Sequence, residues 1–444
     1  SPSPAERATL AGWSEGAAAP RPSGTFADLF EAMVDRPGQA ERPAVLTETG
    51  DVSYGALDRQ ANALAHRLIA AGVRPGQVVA VLTGRSARLP AAMLAVWKAG
   101  AVYLPLMASL PEERLAFMAE DAGATVLLAL DGIAPPAAIR LPVMVDAIAA
   151  GGPDHRPCIS GSAQDHAYIL YTSGSTGQPK GVLLSHAGYV NLALGSAEGF
   201  GLTPQDRCLG FAAPSFDVSL SDVGIPLAAG AALYPLAEEV LSQPSAVADI
   251  MTRQRITLAD LPPSYLRLLD TESLGGLRIL VTGGEAPLPA DVARLAGRLA
   301  YFNAYGATEA SITSTMGQLA PDQAVGLDCG RPLPNTGLEI RDPASGAIVP
   351  PGASGEIWLS GIGLASAYLN RPNLTSQAFL QTGQGLRYRT GDLGRWRSGG
   401  RVELLGRIDQ QAKLNGIRIE PGEIEAAIAS HPTVLQPVAV IAGS

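Results

Sequence analysis

The hydrophobic pattern in the first part of the chain alternates between two kinds of segment. Between residues 57 and 71 the apolar positions recur at the spacing of an amphipathic helix, and Gly72 stands where such a helix would end. Continuous apolar runs at 78–82 and 126–130 indicate buried strands, and further helical patterns cover 88–99 and 112–122. Strands that alternate with helices predict a parallel α/β sheet.

The same alternation returns after about residue 206 and then stops. Helical patterns at 245–254 and 263–270 alternate with strand patterns at 256–259, 278–281 and 300–303, so we expect a second α/β sheet. After Gly317 the helical patterns vanish, and strand-like runs at 338–341, 356–360, 387–389 and 402–405 alternate with Gly, Pro and Asn turns. This composition predicts a small β-barrel or a curled sheet at about 318–405.

The two ends of the chain differ from this core. Residues 1–24 are rich in Pro, Ala, Ser and Gly and predict a linker, which leaves 25–408 as the core. Residues 409–444 begin another unit, with a helix near 423–430 and a strand near 438–441, and stop before it could bury a core. The predicted fold class is therefore α/β, with two α/β sheet subdomains and a small β-barrel forming a large N-terminal core, followed by a truncated α+β C-terminal subdomain.

Composition narrows the functional classes. The chain has 32 Lys+Arg against 41 Asp+Glu, which argues against nucleic-acid binding and against a membrane-surface protein. Cys158, Cys208 and Cys329 are far apart and suggest neither a disulfide framework nor a zinc site, so a reducing, cytoplasmic location fits best. The N-terminus lacks the pattern of a signal peptide, and the most apolar long window, 89–108, carries Lys98 at its middle. We expect neither secretion nor membrane spanning.

A stretch rich in glycine and hydroxyl side chains follows a strand pattern at 168–171. Its backbone N–H groups, hydroxyls and one ammonium are the groups that hold a polyphosphate. The candidate phosphate-binding residues are Thr172, Ser173, Gly174, Ser175, Thr176, Gly177 and Lys180. A Walker loop requires Lys directly after Gly and then a helix, whereas here Gln178 and Pro179 intervene and a strand pattern follows at 182–184. A kinase-like or motor-type ATPase is disfavoured, and the alternative is a flexible Gly/Ser hairpin turn.

Together with other motifs, this stretch resembles the adenylate-forming enzymes and, among them, the adenylation domains of nonribosomal peptide synthetases. The motifs are KAGAVYLPL at 98–106, YTSGSTGQPKG at 171–181, FDVS at 216–219, NAYGATE at 303–309, GEI at 355–357, YRTGDL at 388–393, GRIDQQ at 406–411 and RIEPGEIE at 418–425. Their order and spacing carry the resemblance over essentially the whole chain. It implies ATP-dependent conversion of an amino acid into an aminoacyl-adenylate, which is then loaded onto a carrier-protein thiol.

The resemblance implies catalytic roles for three residues. Lys180 and the loop before it would hold the β- and γ-phosphates of ATP, and Thr308 would donate a hydrogen bond to the α-phosphate. Glu309 would bind Mg²⁺, because this hard cation prefers a carboxylate together with phosphate oxygens. ATP and Mg²⁺ are therefore the expected cofactors.

Further residues are implied for the nucleoside. Tyr305 would present a flat face to adenine and Asn303 an amide to its exocyclic amine, while Asp392 would accept the ribose hydroxyls with support from Arg407. Gly284, Ala304 and Gly306 complete the implied nucleotide-binding set. The alternative for Asp392 is an exposed turn.

The resemblance also concerns the C-terminal subdomain and the partners. Asp409 stands at the hinge of a swinging lid, which in the family carries a lysine that bridges substrate and nucleotide. No lysine follows Lys413, so we expect a truncated chain that binds substrate and ATP but adenylates poorly. The natural acceptor would be a phosphopantetheine carrier domain. Residues 7–15 resemble the segment that follows a condensation domain, and a small MbtH-like helper protein is a further partner that the family allows.

The implied substrate pocket contains two acids. Asp217 occupies the position that pairs with the α-ammonium group, which separates amino acids from fatty or aryl acids. The side-chain pocket would comprise Val218, Ser221, Asp260, Val281, Gly283, Ala304, Ile312 and Thr313. Asp260 is a lone carboxylate there, so the pocket requires a cationic side chain, and a guanidinium fits best. Thr313 stands where a second acid would suit arginine, so we predict a compact guanidino acid such as capreomycidine, then arginine, then ornithine or lysine.

Three alternatives remain open at this point. Asp260 could instead cap the helix predicted at 263–270 and face away from the substrate. The chain could be an acyl-CoA ligase of the same superfamily, which would need neither Asp217 nor Asp260. It could also be an inactive binding module, although Lys180 and Glu309 speak against this.

Overall fold

The computed structural model describes residues 2–145, 152–173, 178–321, 327–408, 412–414 and 417–419, together with Ile424, Ile428 and Ala439. Its helices are α1 (Pro4–Ser14), α2 (Phe26–Val34), α3 (Tyr54–Ala70), α4 (Leu89–Lys98), α5 (Glu112–Asp121), α6 (His186–Gly199), α7 (Val218–Ala229), α8 (Pro244–Arg253), α9 (Pro263–Leu266), α10 (Pro289–Leu295) and α11 (Pro372–Ala378). Short 3₁₀ turns occur at Glu238–Val240, Thr271–Ser273 and Thr308–Ala310.

The strands are grouped in three large sheets and one hairpin. They are β1 (Pro43–Val45), β2 (Val52–Ser53), β3 (Val78–Thr83), β4 (Val102–Met107), β5 (Ala124–Ala129), β6 (Val143–Val145), β7 (His166–Thr172), β8 (Lys180–Ser185), β9 (Arg207–Gly210), β10 (Ala232–Pro235), β11 (Leu258–Asp260), β12 (Ile279–Gly283), β13 (Ala300–Tyr305), β14 (Thr315–Gln318), β15 (Leu327–Asp328), β16 (Arg331–Pro332), β17 (Thr336–Arg341), β18 (Gly355–Gly361), β19 (Ala367–Tyr368), β20 (Phe379–Thr382), β21 (Gly385–Arg397), β22 (Arg401–Arg407), β23 (Ala412–Leu414) and β24 (Ile417–Ile419).

Two of the sheets are largely parallel, as the sequence predicts. The first has the order β19-β8-β7-β4-β3-β5-β6 and the second the order β16-β14-β13-β12-β11-β9-β10-β1-β2. Every residue of β3 is buried, because helices cover both faces of a parallel sheet and leave no solvated side. The predicted helices at 57–71, 88–99, 112–122 and 245–254 are confirmed as α3, α4, α5 and α8, and the helix predicted at 263–270 is the shorter α9.

The region predicted as a β-barrel or a curled sheet forms the second of these in the described residues. The predicted strands form an antiparallel sheet with the order β15-β22-β21-β18-β17 and with β20 paired to β21, and its end strands β15 and β17 do not pair with each other. Two segments of the same region leave this sheet, because β16 hydrogen-bonds to β14 and β19 to β8. The region therefore forms an open sheet that contributes strands to both neighbours.

The segment predicted as a linker has two parts, because residues 4–14 form a helix whereas residues 16–24 contain no helix or strand. Helix α1 begins with a capping box in which Ser3 and Glu6 each accept a hydrogen bond from the other residue's backbone N–H. Its Trp13 ring lies 6.0 Å from the ring of Trp396 on β21, and Glu15 forms an isolated bridge with Gly337. Proline and alanine suit the first turns of a helix as well as a linker, so composition alone misjudged residues 4–14.

The C-terminal subdomain falls mostly outside the described residues. Strands β23 and β24 pair antiparallel, and in the helix predicted at 423–430 the described residues Ile424 and Ile428 are helical. Of the strand predicted at 438–441 only Ala439 is described, and the predicted hinge Asp409 lies outside the described residues. Within the described ranges, none of the helices has the length and apolar character needed to cross a bilayer.

Candidate functional site

The predicted site residues converge at one edge of the nine-stranded sheet. Asp260 is the last residue of β11, Gly283 of β12 and Tyr305 of β13, and these three strands are parallel neighbours. Their carboxyl ends therefore open at the same edge, which is where open α/β sheets bind ligands.

Strand register places four of the predicted pocket residues on one face of this sheet. Asp260 pairs with Val281, and Gly283 pairs with Ala304. Register partners on neighbouring strands project to the same side, as do residues two apart on one strand. Part of this face is apolar, because Val281 belongs to a buried hydrophobic cluster and Ile225 of α7 packs against that cluster.

Helix α7 faces these strands. Val218 and Ser221 lie one turn apart on α7, and Ile225 follows at the next turn on the same side. Ser221 is buried, and its hydroxyl has no hydrogen-bond partner in the described part of the chain. A buried hydroxyl without a partner is uncommon and suits a group that meets a ligand.

Asp217 is held by hydrogen bonds from helix α7 and from the turn that contains Thr308. It forms the N-cap of α7, where its side chain accepts a hydrogen bond from the N–H of Val218 at 2.9 Å. The hydroxyl of Thr308 donates to its second carboxylate oxygen at 2.5 Å. The acid predicted for the α-ammonium group and the hydroxyl predicted for the α-phosphate are thus in direct contact.

Asp260 is electrostatically unfavourable without a ligand. Burial raises the pKa of its carboxyl well above the usual range, and the nearby acids Asp222 and Asp217 raise it further. No hydrogen bond within the described residues offsets this. Helix α9 has Pro262 at its N-cap and no side-chain capping bond, so the alternative that Asp260 caps this helix is wrong.

Asp222 and Arg85 are site residues that the sequence did not reveal. The Asp222 carboxylate accepts hydrogen bonds from the N–H groups of Phe211 at 2.9 Å and Ala212 at 2.8 Å, while Arg85 donates to the carbonyl of Phe211. Burial raises the pKa of Asp222 to about 7, although these amides lower it. The two side chains fix the start of the loop that carries Asp217. Only a correct assignment of α7 could have pointed to Asp222.

The phosphate-binding loop is described at its two ends. Strands β7 and β8 form a hairpin in which Thr172 pairs with Lys180, and the hydroxyl of Thr172 is buried without a partner among the described residues. Ser173 is buried as well. The remaining predicted loop residues, Gly174, Ser175, Thr176 and Gly177, lie outside the described residues.

Lys180 and Glu309 form an ion pair beside a tyrosine. The Lys180 ammonium lies 3.2 Å from Oε1 of Glu309, whose side chain is completely buried. Tyr368 donates a hydrogen bond to the same oxygen at 2.7 Å, and the ammonium lies 4.1 Å from the centre of its ring. The sequence predicted Lys180 and Glu309 but gave no signal for Tyr368.

The residues predicted for the nucleoside form a second polar group. Asp392 accepts a hydrogen bond from the hydroxyl of Tyr305 and one from Arg407, each at 2.7 Å. Asp392 is therefore not the exposed turn of the alternative interpretation. The amide nitrogen of Asn303 donates to the carbonyl of Asp328 at 2.8 Å, which leaves the amide oxygen as the acceptor that an exocyclic amine requires.

Backbone geometry explains two of the predicted glycines and sets Ile312 apart. Gly284 has φ 77°, a conformation that L side chains rarely adopt. A Cβ at Gly306 would lie 2.1 Å from the carbonyl of Ile312, so only glycine fits there. Ile312 has φ 72°, which is strained for a β-branched residue, and it packs in a different apolar cluster from Val281. Among the described residues, Ile312 therefore packs in another apolar cluster than the one on the Asp260 face, and Thr313 follows it two residues before β14.

Comparison with known proteins identifies the family. A family model described as AMP-binding enzyme matches residues 32–369. Novobiocin biosynthesis protein H from Streptomyces niveus is 37% identical over 446 residues, which covers 95% of this chain and 72% of that protein. The chain belongs to the AMP-binding enzyme family. This match confirms the predicted family at the level of AMP-binding enzymes.

Other similar proteins are much longer synthetases. Tyrocidine synthase 2 from Brevibacillus parabrevis and Phosphinothricin tripeptide synthetase PhsC from Streptomyces viridochromogenes are each 39% identical, over 425 and 436 residues. These alignments cover 94% and 96% of this chain but only 12% and 40% of those proteins. The chain therefore spans less than half the length of these relatives.

Solved structures confirm the predicted mixed α/β fold. NpsA-ThdA, an artificially fused adenylation–PCP di-domain from Klebsiella oxytoca, superposes with a TM-score of 0.84 at 27% identity, covering 94% of this chain and 85% of that one. The AMPPNP-bound form of FmoA3 gives a TM-score of 0.83 at 29% identity, covering 91% of this chain and 45% of that one.

Proposed function

We propose that this chain uses ATP to convert an amino acid into an aminoacyl-adenylate, which a carrier-protein thiol then accepts. The contact between Asp217 and Thr308 carries the proposal, because it sets an acid suited to an α-ammonium group directly beside a donor suited to the α-phosphate. An acyl-CoA ligase for fatty or aryl acids has no ammonium group to neutralise, so an acid at this place would only repel its substrate carboxylate.

The reaction joins two anions, so its barrier is mainly electrostatic. A substrate carboxylate oxygen attacks the α-phosphorus of ATP, the bond from that phosphorus to the bridging oxygen breaks, and pyrophosphate leaves. Asp217 would orient the amino acid through its ammonium group, and Thr308 would donate to the α-phosphate. Lys180 would neutralise charge on the departing pyrophosphate. Holding both reactants in this geometry supplies the remaining acceleration.

The nucleoside would lie between two elements of the site. The Tyr305 ring offers a stacking face, and its hydroxyl is already bonded to Asp392. Asp392 would accept the ribose hydroxyls while Arg407 holds the carboxylate in place. The oxygen of the Asn303 amide would accept the exocyclic amine of adenine.

Glu309 suits magnesium carried with the nucleotide. The described residues contain no cluster of three or more metal-ligating side chains, so a cage made of protein alone does not fit. One buried carboxylate next to a phosphate-binding lysine does fit, because Mg²⁺ is commonly held by one or two carboxylates together with substrate phosphates. When bound, Mg²⁺ would neutralise phosphate charge.

For the side chain of the substrate we propose a cation, preferably a guanidinium as in capreomycidine or arginine. Burial raises the pKa of the Asp260 carboxyl, which lies near two further acids and has no compensating hydrogen bond in the described residues. A guanidinium can satisfy both oxygens of the ionised form with two parallel hydrogen bonds. Ornithine and lysine would follow, because an ammonium offers no such planar fork.

The proposed partners follow from the same chemistry. An aminoacyl-adenylate is an activated acid that a thiol can attack, and NpsA-ThdA is an artificially fused adenylation–PCP di-domain. A carrier domain is therefore the proposed acceptor. The neighbouring condensation domain and a small MbtH-like helper protein stay predictions.

The test compares acids on the same chain. Isothermal titration measures binding of arginine, capreomycidine, ornithine, lysine, benzoic acid and a fatty acid, and acid-dependent exchange of labelled pyrophosphate into ATP reports the chemistry. We expect tight binding only with cationic amino acids and weak exchange confined to the same acids, because the chain is expected to adenylate poorly. Asp217→Asn should abolish the binding of all these amino acids. Exchange driven by benzoic or fatty acids would favour the ligase alternative. Absence of ATP binding would favour an inactive module.

A further inference from the structure

We propose that Tyr368 is a positioning residue that holds Glu309 and Lys180 where they meet the phosphates of ATP. This inference rests on the proposed function and adds a residue that the motifs did not reveal. Tyr368 is buried, its hydroxyl lies 2.7 Å from Oε1 of Glu309, and its ring centre lies 4.1 Å from the Lys180 ammonium. One side chain therefore contacts both charged groups.

The backbone around Tyr368 joins the two halves of the phosphate site. In strand β19, Tyr368 pairs with Val182, two residues beyond Lys180, and the next N–H along the chain bonds to the carbonyl of Gly181 at 2.8 Å. At the other end of the segment, the N–H of Ala365 bonds to the carbonyl of Glu309 at 2.8 Å. The segment thus links the loop hairpin of the seven-stranded sheet to Glu309, which lies between β13 and β14 of the nine-stranded sheet.

The ring of Tyr368 is itself fixed, as a positioning group requires. Its ring centre lies 5.5 Å from that of Phe379, and the hydroxyl of Thr375 accepts a hydrogen bond from the Tyr368 N–H at 3.0 Å. A buried side chain whose ring packs against another ring and whose backbone is hydrogen-bonded has few rotamers available. The hydroxyl can therefore set the orientation of a neighbouring carboxylate.

The two contacts of Tyr368 have different chemical consequences. The hydroxyl occupies one oxygen of the Glu309 carboxylate and so orients the group that would meet Mg²⁺, as outer-shell partners of metal ligands do. The ring face attracts the Lys180 ammonium, which keeps this cation near the loop before phosphate arrives. Removing the hydroxyl should therefore affect the magnesium-dependent part of ATP binding, and removing the ring should also affect the part that needs no metal.

Two variants separate these effects. Tyr368→Phe removes the hydroxyl and keeps the ring, whereas Tyr368→Leu removes both. The readout is the dissociation constant of ATP by calorimetry, with Mg²⁺ and with a chelator. The matched control is Tyr301→Phe, which removes a hydroxyl from another buried tyrosine that lies at the start of β13 and belongs to a separate apolar cluster.

For Tyr368→Phe we expect the strengthening of ATP binding by Mg²⁺ to fall by about tenfold, with metal-free binding within about twofold of wild type. For Tyr368→Leu, metal-free binding should also weaken by about two- to fivefold. Arginine affinity should not change in either variant. In a Glu309→Gln background the hydroxyl should no longer matter, because its effect passes through that carboxylate.

An unchanged effect of Mg²⁺ in Tyr368→Phe overturns the proposal. A lowered melting temperature with unchanged magnesium dependence would assign Tyr368 a purely structural role and overturn it as well. If wild type binds no ATP at all, the proposed function fails instead, so the two failures are distinguishable.

Discussion

Replacing Asp260 by asparagine removes one negative charge from the pocket and keeps the shape of the side chain. The carboxyl is half-buried and has no compensating hydrogen bond among the described residues, so a bound guanidinium would be its main partner. Removing one partner of a buried charge pair costs about 2–5 kcal/mol. At about 1.4 kcal/mol per factor of ten, arginine binding should weaken by about 30- to 4,000-fold.

The assay pairs this variant with a neutral substrate analogue. Citrulline has the shape of arginine without its positive charge, so titration of both ligands into both proteins isolates the charge–charge interaction. Wild type should strongly prefer arginine, and Asp260→Asn should bind the two within a few-fold of each other. Asp249→Asn is the matched control, because Asp249 is an exposed acid on α8.

The pH dependence provides a second test of the same interaction. The pKa of Asp260 is raised in the free protein, and a guanidinium requires the ionised form, so binding releases a proton from the protonated fraction. Arginine affinity should rise with pH until it passes the raised pKa and then level off, whereas citrulline affinity should stay flat. Retention of the arginine preference in Asp260→Asn, or arginine affinity that falls as pH rises, would refute the reasoning.

Three further predictions concern other parts of the fold. Burial raises the pKa of Asp222 from the ordinary 3.8 to about 7, so this acid lowers the free energy of unfolding increasingly as pH rises between these values. From pH 5 to pH 8, the free energy of urea unfolding of Asp222→Asn should therefore rise by about 3 kcal/mol relative to that of wild type. A difference between the two proteins that stays constant with pH would contradict this. Alanine replacements of Trp13 and Trp396 should couple by about 0.5–1.5 kcal/mol in a double-mutant cycle, whereas a loose linker predicts additivity. Asp392→Ala should weaken ATP binding by about tenfold or more without changing arginine binding, and equal losses for both ligands would speak against a ribose role.

The sequence predicted the parallel sheets well because their strands are buried on both faces and read as continuous apolar runs. It missed α7, which is apolar nearly all round and carries Pro226 inside the helix, so it shows no amphipathic period. The region 318–405 was predicted as a small β-barrel or a curled sheet, because short strands separated by turns suit both. Strands β16 and β19 pair with the two neighbouring sheets, and this pairing depends on tertiary packing that the local sequence pattern does not encode.

The residues of the site also fall into two groups, those that the sequence predicted and those that it did not. Lys180, Glu309 and Asp392 lie in local motifs whose order identifies them. Tyr368 lies 59 residues from Glu309 along the chain, and its role depends on a contact that only the fold creates. The raised pKa of Asp260 likewise depends on where α7 places Asp222. Sequence patterns therefore predicted which residues carry the chemistry, but not which neighbours tune them.

The most direct test of the central claim is a crystal structure of this chain with a non-hydrolysable arginyl-adenylate analogue. We expect the Asp217 carboxylate within hydrogen-bond distance of the α-ammonium group and the Asp260 carboxylate in a two-bond contact with the guanidinium. A structure in which either carboxylate points away from the ligand would contradict the account of substrate selection.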